Sequence, residues 1–149
     1  MDLKKISPSL SVSAQIFPAQ LESIAAEGFK TLINNRPDKE VDEQPLTAEL
    51  AAEAARHGMV LVDHPVIPGL LTADDVAGFA EILKTAQGPV LAFCRTGSRS
   101  TTLWAMHEAR HRDIDEILRF ARSIGYDLSG YRDDLSEMAA LAGKAAESS

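Results

Sequence analysis

The stretch Pro89-Val-Leu-Ala-Phe-Cys94-Arg-Thr-Gly-Ser-Arg99-Ser100 constrains the fold most. Its first five residues are apolar without alternation, the pattern of a strand buried on both faces in a parallel sheet covered by helices. The run ends in Cys94, the single cysteine of the chain, and a turn with one glycine and two arginines follows. From Ser100 the sequence continues Thr-Thr-Leu-Trp-Ala-Met, which reads as a helix whose N-terminus faces back toward the turn. A strand, a short turn and a helix N-terminus present backbone N–H groups and a positive dipole end, a site for an anion. Cys94 sits where that field favours the thiolate, the nucleophilic form of the side chain. Arg95, Thr96, Gly97 and Ser98 are the expected anion-binding loop, closed by Arg99.

Composition limits what such a site can serve. With 149 residues and 45% hydrophobic content the chain is long enough for one domain with a full core. A net charge of -7 excludes general nucleic-acid binding, which needs a basic face, so any anion site must be local. No apolar run approaches the roughly 18 residues that span a membrane. The N-terminus, Met1-Asp-Leu-Lys-Lys-Ile6, lacks the apolar segment of a secretory signal. A cytoplasmic protein without membrane or nucleic-acid partners is expected, and one cysteine that can form no internal disulfide is compatible with a reducing compartment.

Taken in order, Ser9 to Ile16 alternates in part as a half-exposed strand does. Pro18 opens a helix with Leu21, Ile24 and Ala25 on one face, ended by Gly28. Lys30 to Asn34 is a short apolar strand running into the polar turn Asn35 to Glu40. Thr47 is the expected N-cap of a helix from Ala48 to His57, and Met59 to Val62 the next strand. Thr72 with Asp75 forms a capping box for a helix over about Ala73 to Ala86, with Val76, Phe79, Ala80 and Leu83 at helical spacing. After the cysteine loop, helices are expected from Ser100 to about His111, Ile114 to about Ile124 and from about Ser129, with residues 143–149 a frayed tail. This order defines a single α/β domain over 1–149, a mostly parallel sheet of about four to five strands flanked by helices.

Ligands of such sheets bind at the carboxyl ends of the parallel strands. That geometry gathers three loops: Arg36 and Asp38 in the first, Asp63 and His64 at the edge of the second, Cys94 to Ser100 in the third. Arg36 and Asp38 either belong to the rim of the site or pair with each other to hold the Pro37 turn. Asp63 is either an acid for the reaction or a solvated strand-end residue. Asp74 and Asp75 read as the negative first turn of a helix. His107-Glu-Ala-Arg-His111 matches H-E-x-x-H, which on a helix presents two imidazoles to zinc. No histidine follows His111, a third ligand would have to be a carboxylate such as Glu137, and the polar surroundings read as a solvated face. No metal and no cofactor are expected.

The loop Cys94-Arg-Thr-Gly-Ser-Arg-Ser100 resembles the active-site loop shared by cysteine-based phosphatases and rhodanese-type sulfurtransferases. Val12-Ser-Ala-Gln15, Gly28-Phe-Lys30, Ile33-Asn-Asn-Arg-Pro-Asp-Lys-Glu40, Pro65-Val66 with Gly69, and the cysteine loop occur in that order over roughly residues 5 to 110. On these motifs the chain is identified as a member of the beta-lactamase-hydrolase-like, phosphatase-like domain family, some of whose members are labelled sulfurtransferases. The resemblance implies a fold of the dual-specificity phosphatase type. It also implies Cys94 as nucleophile, Arg99 as oxyanion ligand, and Ser100 as the hydroxyl that bonds the cysteine sulfur; Ser100 is equally suited to cap the helix.

Three positions depart from the phosphatase pattern. Four residues rather than five separate Cys94 from Arg99, so Ser100 stands where that pattern has arginine. The shorter spacing is familiar in sulfurtransferases, where Cys94 would carry a persulfide. Phe93 replaces a histidine, and the loop Pro65 to Gly69 contains no acid to protonate a leaving alkoxide, which leaves Asp63 as the candidate. Three functions follow: a hydrolase forming a thiophosphate on Cys94, a sulfurtransferase, or a non-catalytic anion-binding protein. The expected substrate is a small anion, a phosphate ester or a sulfur donor, with a phosphoprotein among the candidates.

Overall fold

The computed structural model describes residues 2–148. Five strands form one sheet: β1 (Lys4–Ser7), β2 (Leu10–Ser13), β3 (Thr31–Asn34), β4 (Val60–Asp63) and β5 (Val90–Phe93), in the order β1-β2-β5-β3-β4. β5 lies between β2 and β3 and is parallel to both, and β4 is parallel to β3. Every residue of β5 is buried, as its unbroken apolar sequence requires. Only β1 is antiparallel, turning back into β2. The sheet is thus the mostly parallel one expected, with β1 as an additional edge strand. The strand expected over Ser9 to Ile16 is confined to Leu10–Ser13.

The helices are α1 (Leu21–Ala26), preceded by a 3-10 turn at Pro18–Gln20, then α2 (Thr47–Arg56), α3 (Ala73–Thr85), α4 (Ser98–Glu108), α5 (Ile114–Ser123) and α6 (Arg132–Ser148). Alternation along the strands divides the core. Leu32, Leu91 and Phe93 meet Leu21, Ile24, Leu50 and Ala54 on the side of α1 and α2. Val12, Ile33, Val90 and Ala92 meet Val76, Phe79, Leu103 and Ile117 on the side of α3 to α5. Packed against α3, α5 and α6, α4 is buried from Arg99 to Met106, so it shows no polar stripe. The capping box of α3 is present, with Thr72 Oγ1 accepting from Asp75 N and an Asp75 carboxylate oxygen accepting from Thr72 N. The expected frayed tail at 143–149 falls on side chains that lie outside the described residues.

Two helix starts differ from expectation. α4 begins at Ser98 behind Gly97, so Ser100 lies in the first turn and is not its cap. Thr47 is the first residue of α2, and its amide and hydroxyl both donate to Asp38 Oδ1, at 2.9 and 2.7 Å. A carboxylate nine residues upstream therefore satisfies the helix end that Thr47 was expected to cap.

Candidate active site

Cys94 immediately follows β5 and is buried, 1% exposed. Its Sγ accepts a hydrogen bond from Gly97 N at 3.1 Å, so the chain curls back over the sulfur before α4 begins. Gly97 makes that curl at a φ of 95°, in the left-handed region that favours glycine. A Cβ at this position would also collide with Tyr126 Oη. Tyr126, just beyond α5, donates from Oη to Thr96 O at 3.1 Å and clamps the loop from outside. Burial is the main cause holding the Tyr126 phenol above its ordinary pKa, with the nearby Cys94 sulfur adding to it. The first-turn amides of α4 are among those a helix leaves without intrahelical carbonyls. Loop curl, glycine and helix N-terminus together form the anion cradle around Cys94.

Arg99 rises from the first turn of α4 and is buried, 8% exposed. Its Nη1 and Nη2 donate to Glu40 Oε2 and Oε1 at 2.9 and 2.8 Å, and Nη1 also donates to Val66 O at 3.1 Å. Glu40 receives a second arginine, Arg36, through Nε at 2.7 Å. Arg36 is buried, and its Nη1 donates to Gln15 Oε1 at 3.0 Å. The hydrogen bond from Arg99, followed by that from Arg36, holds the Glu40 carboxyl below the usual carboxylate range against the opposing effect of burial.

The expected alternative of an Arg36–Asp38 pair does not form: Arg36 pairs with Glu40, and Asp38 serves the start of α2. Asp63, at the exposed end of β4, accepts from Asn34 Nδ2 at 2.9 Å through Oδ1. Asn34 Nδ2 also lies 3.0 Å from Thr47 Oγ1, so Asp63 belongs to the same polar cluster as Thr47 and Asp38. His64 turns its Nε2 to Asp75 O at 2.8 Å, a bond within the scaffold. The Ser100 hydroxyl donates to Asn35 Oδ1 at 2.8 Å. Arg95 and Thr96 are exposed on the loop, and the Ser98 amide donates to Thr96 Oγ1 at 3.3 Å.

A cleft of about 310 Å³ opens over the loop, lined by Glu40, Val41, Pro68, Arg95, Arg99 and Tyr131 among others. A larger cavity of about 460 Å³, lined by Trp104, His107 and Arg112 among others, includes no residue of the cysteine loop. The residues of the Cys94 loop and the paired Arg99 therefore mark the smaller cleft as the candidate site. His107 and His111 place their rings 5.9 Å apart, but His111 lies beyond the end of α4 and is 3.4 Å from Glu108. Burial lowers the pKa of His107. Among the described residues no group of three or more His, Cys, Asp or Glu is arranged to hold a metal ion.

The sequence reading missed Glu40, Gln15 and Tyr126 as members of the site. Glu40 and Gln15 each close one of the motifs on which the family resemblance rests, and that was the available signal. Tyr126 carried none, because its contact with the loop depends on how α5 packs.

A cysteine after the central strand of a mostly parallel sheet, followed by a left-handed glycine and by a buried arginine in the first turn of the next helix, defines a domain of the cysteine-phosphatase type. The chain belongs to the family of the phosphatase-like domain of beta-lactamase hydrolase-like protein, whose model matches residues 2–111. The beta-lactamase hydrolase-like protein of Agrobacterium fabrum is 34% identical over 130 residues, which cover 86% of this chain and 30% of that protein. The chain thus spans less than a third of the length of such relatives. Among solved structures, a Neisseria meningitidis protein assigned as a phosphatase has a TM-score of 0.87 at 35% identity, covering 93% of this chain and 99% of that one. The core catalytic domain of the PP-IP phosphatase SIW14 from S. cerevisiae has a TM-score of 0.72 at 13% identity, covering 97% and 92%, a likeness of fold alone. No helix among the described residues is long and apolar enough to cross a membrane.

Proposed function

We propose that the chain is a cysteine-dependent phosphatase acting on a phosphate monoester of small size. The reading rests on the curl that aims Gly97 N–H at Cys94 Sγ, 3.1 Å away, at the N-terminus of α4. The Cys94 thiolate attacks phosphorus and expels the alkoxide, giving a thiophosphate. Loop amides and Arg99 stabilise the charge on the equatorial oxygens. Water then attacks the thiophosphate, releasing phosphate and restoring the thiolate. Supporting it are the family, the fold it shares with SIW14, and the cleft above the loop, lined by Arg95 and Arg99.

One observation favours a second reading. The four-residue spacing between Cys94 and Arg99 is that of a sulfurtransferase loop, in which Cys94 would accept a sulfane sulfur and pass it to a thiol. Wild type and Cys94→Ser, assayed on an aryl phosphate and on thiosulfate with cyanide, separate the two. Phosphate release by wild type and its loss in Cys94→Ser is the expected result. Sulfur transfer without phosphate release overturns the phosphatase reading.

A further inference from the structure

Two polar contacts leave the cysteine loop from opposite ends of one peptide unit. The Gly97 N–H donates to Cys94 Sγ at 3.1 Å, and the carbonyl of the same unit, Thr96 O, accepts from Tyr126 Oη at 3.1 Å. A trans peptide is planar and points its C=O and N–H in opposite directions, so holding one end aims the other. Resting on Cys94 as the nucleophile of the proposed function, we propose that Tyr126 is a positioning residue of that reaction: by pinning Thr96 O outward it keeps the Gly97 N–H on the cysteine sulfur.

This peptide is the one in the curl that needs such support. Glycine accepts φ of either sign, so the plane between Thr96 and Gly97 can turn over at little cost, which would withdraw the N–H and aim a carbonyl oxygen at the sulfur. The flanking carbonyls are held by main chain. Arg95 O also points outward, accepting from Gln15 N at 3.2 Å beyond β2, and Gly97 O accepts from Thr101 N at 3.0 Å as the first bond of α4. Between them Thr96 O finds its partner in a side chain, the Tyr126 phenol.

The end of α5 fixes where that phenol stands. Gly125, at a φ of 105°, donates to Arg122 O at 3.0 Å, and Tyr126 N donates to Ala121 O at 2.9 Å, the paired bonds of a Schellman turn. Ala121 is fully buried, so Tyr126 leaves a packed helix end. Burial, followed by the Cys94 sulfur and Asp2, holds the phenol above its ordinary pKa, which keeps Oη protonated and donating. The N–H that it aims favours the thiolate over the thiol, because a donor bonds the charged sulfur more strongly. The other charged groups around the loop are Arg95 on it and Arg99 in α4, with Glu40 and Arg36 behind Arg99, and none of them bonds Tyr126 Oη.

The test compares wild type with Tyr126→Phe, which keeps the ring and removes only Oη. The Cys94 thiolate is read by its ultraviolet absorbance across pH, with Cys94→Ser in each background as the blank. On the acidic side of the titration the thiolate-to-thiol ratio should be about three- to tenfold lower in Tyr126→Phe, the loss expected when one hydrogen bond to the charged form is weakened. Melting should stay close to wild type, because Thr96 is exposed and water can take the place of Oη. Fluorotyrosine at position 126, a stronger donor of nearly the same size, should raise the ratio instead, which a merely structural role would not do. In wild type the Gly97 amide proton resonance should move downfield as Cys94 ionises. A ratio unchanged in Tyr126→Phe and with fluorotyrosine, or a Gly97 resonance that ignores the ionisation of Cys94, would overturn the proposal. None of these readings needs turnover, so a wild type that releases no phosphate would count against the phosphatase reading alone.

Discussion

The Ser100 hydroxyl donates to Asn35 Oδ1 at 2.8 Å, tying the first turn of α4 to the end of β3. Asn35 uses its other end as well, donating from Nδ2 to His64 O at 2.8 Å, so one side chain joins the cysteine loop to the other two loops at this end of the sheet. Both residues are fully buried. Asn35→Ala strands the Ser100 hydroxyl and the His64 carbonyl in the interior and should destabilise the fold by about 1–3 kcal/mol. Denaturant unfolding with Ser100→Ala and the double variant checks it: the two residues should show a coupling of at least about 0.5 kcal/mol.

Gly97→Ala should disable the cradle. The φ of 95° is unfavourable to any L side chain, and the new methyl would meet Tyr126 Oη. A cost of about 1–3 kcal/mol is expected from the backbone strain. Anion binding should weaken together with stability, read as the loss of thermal protection by inorganic phosphate. Tyr126→Phe removes the Oη clash and should recover only part of the loss, because φ is unchanged.

The fold was legible where a local pattern reports burial. The apolar run of β5 announced a strand covered on both faces, and Thr72 with Asp75 announced the start of α3. β1 escaped because Lys4-Lys-Ile-Ser7 is short and polar, and pairs only through the turn into β2. Pairings that depend on how loops meet escaped as well. Glu40 and Arg99 are 59 residues apart, and nothing near Glu40 distinguishes it from the neighbouring Asp38 until β3 and β5 lie side by side. Ser100 looked like a cap because serine favours that position, but the curl that places Gly97 N–H on the sulfur starts α4 two residues earlier.

Acid should weaken the fold through Glu40. Its carboxyl is held below the unfolded value of 4.5, chiefly by Arg99. A depressed folded pKa contributes stability that is fully present above the unfolded value and lost as pH falls through the folded one. Thermal melts of wild type should therefore fall between about pH 5 and the lower, folded pKa of Glu40, in excess of those of Glu40→Gln. Parallel melting curves for the two proteins across that window would show that the ion pair contributes no net stability.

Asp63 is the one acid that the sequence left open to the reaction, beside its reading as a solvated strand-end residue. Asn34 is in register with both Phe93 and Asp63, so the three side chains share the side of the sheet on which Phe93 packs with Leu50 and Ala54. There Asp63 accepts from Asn34 Nδ2, whose other neighbours, Arg36 O and Thr47 Oγ1, belong to the approach to α2. Asp63→Asn keeps the shape of the side chain and removes only its charge, so hydrolysis of phenyl phosphate should stay within about twofold of wild type, with a stability change under about 1 kcal/mol, as for an exposed polar site. Phosphate release at saturating substrate checks it. A tenfold or greater fall in kcat with normal thermal stability would return Asp63 to the chemistry as the acid that protonates the leaving oxygen.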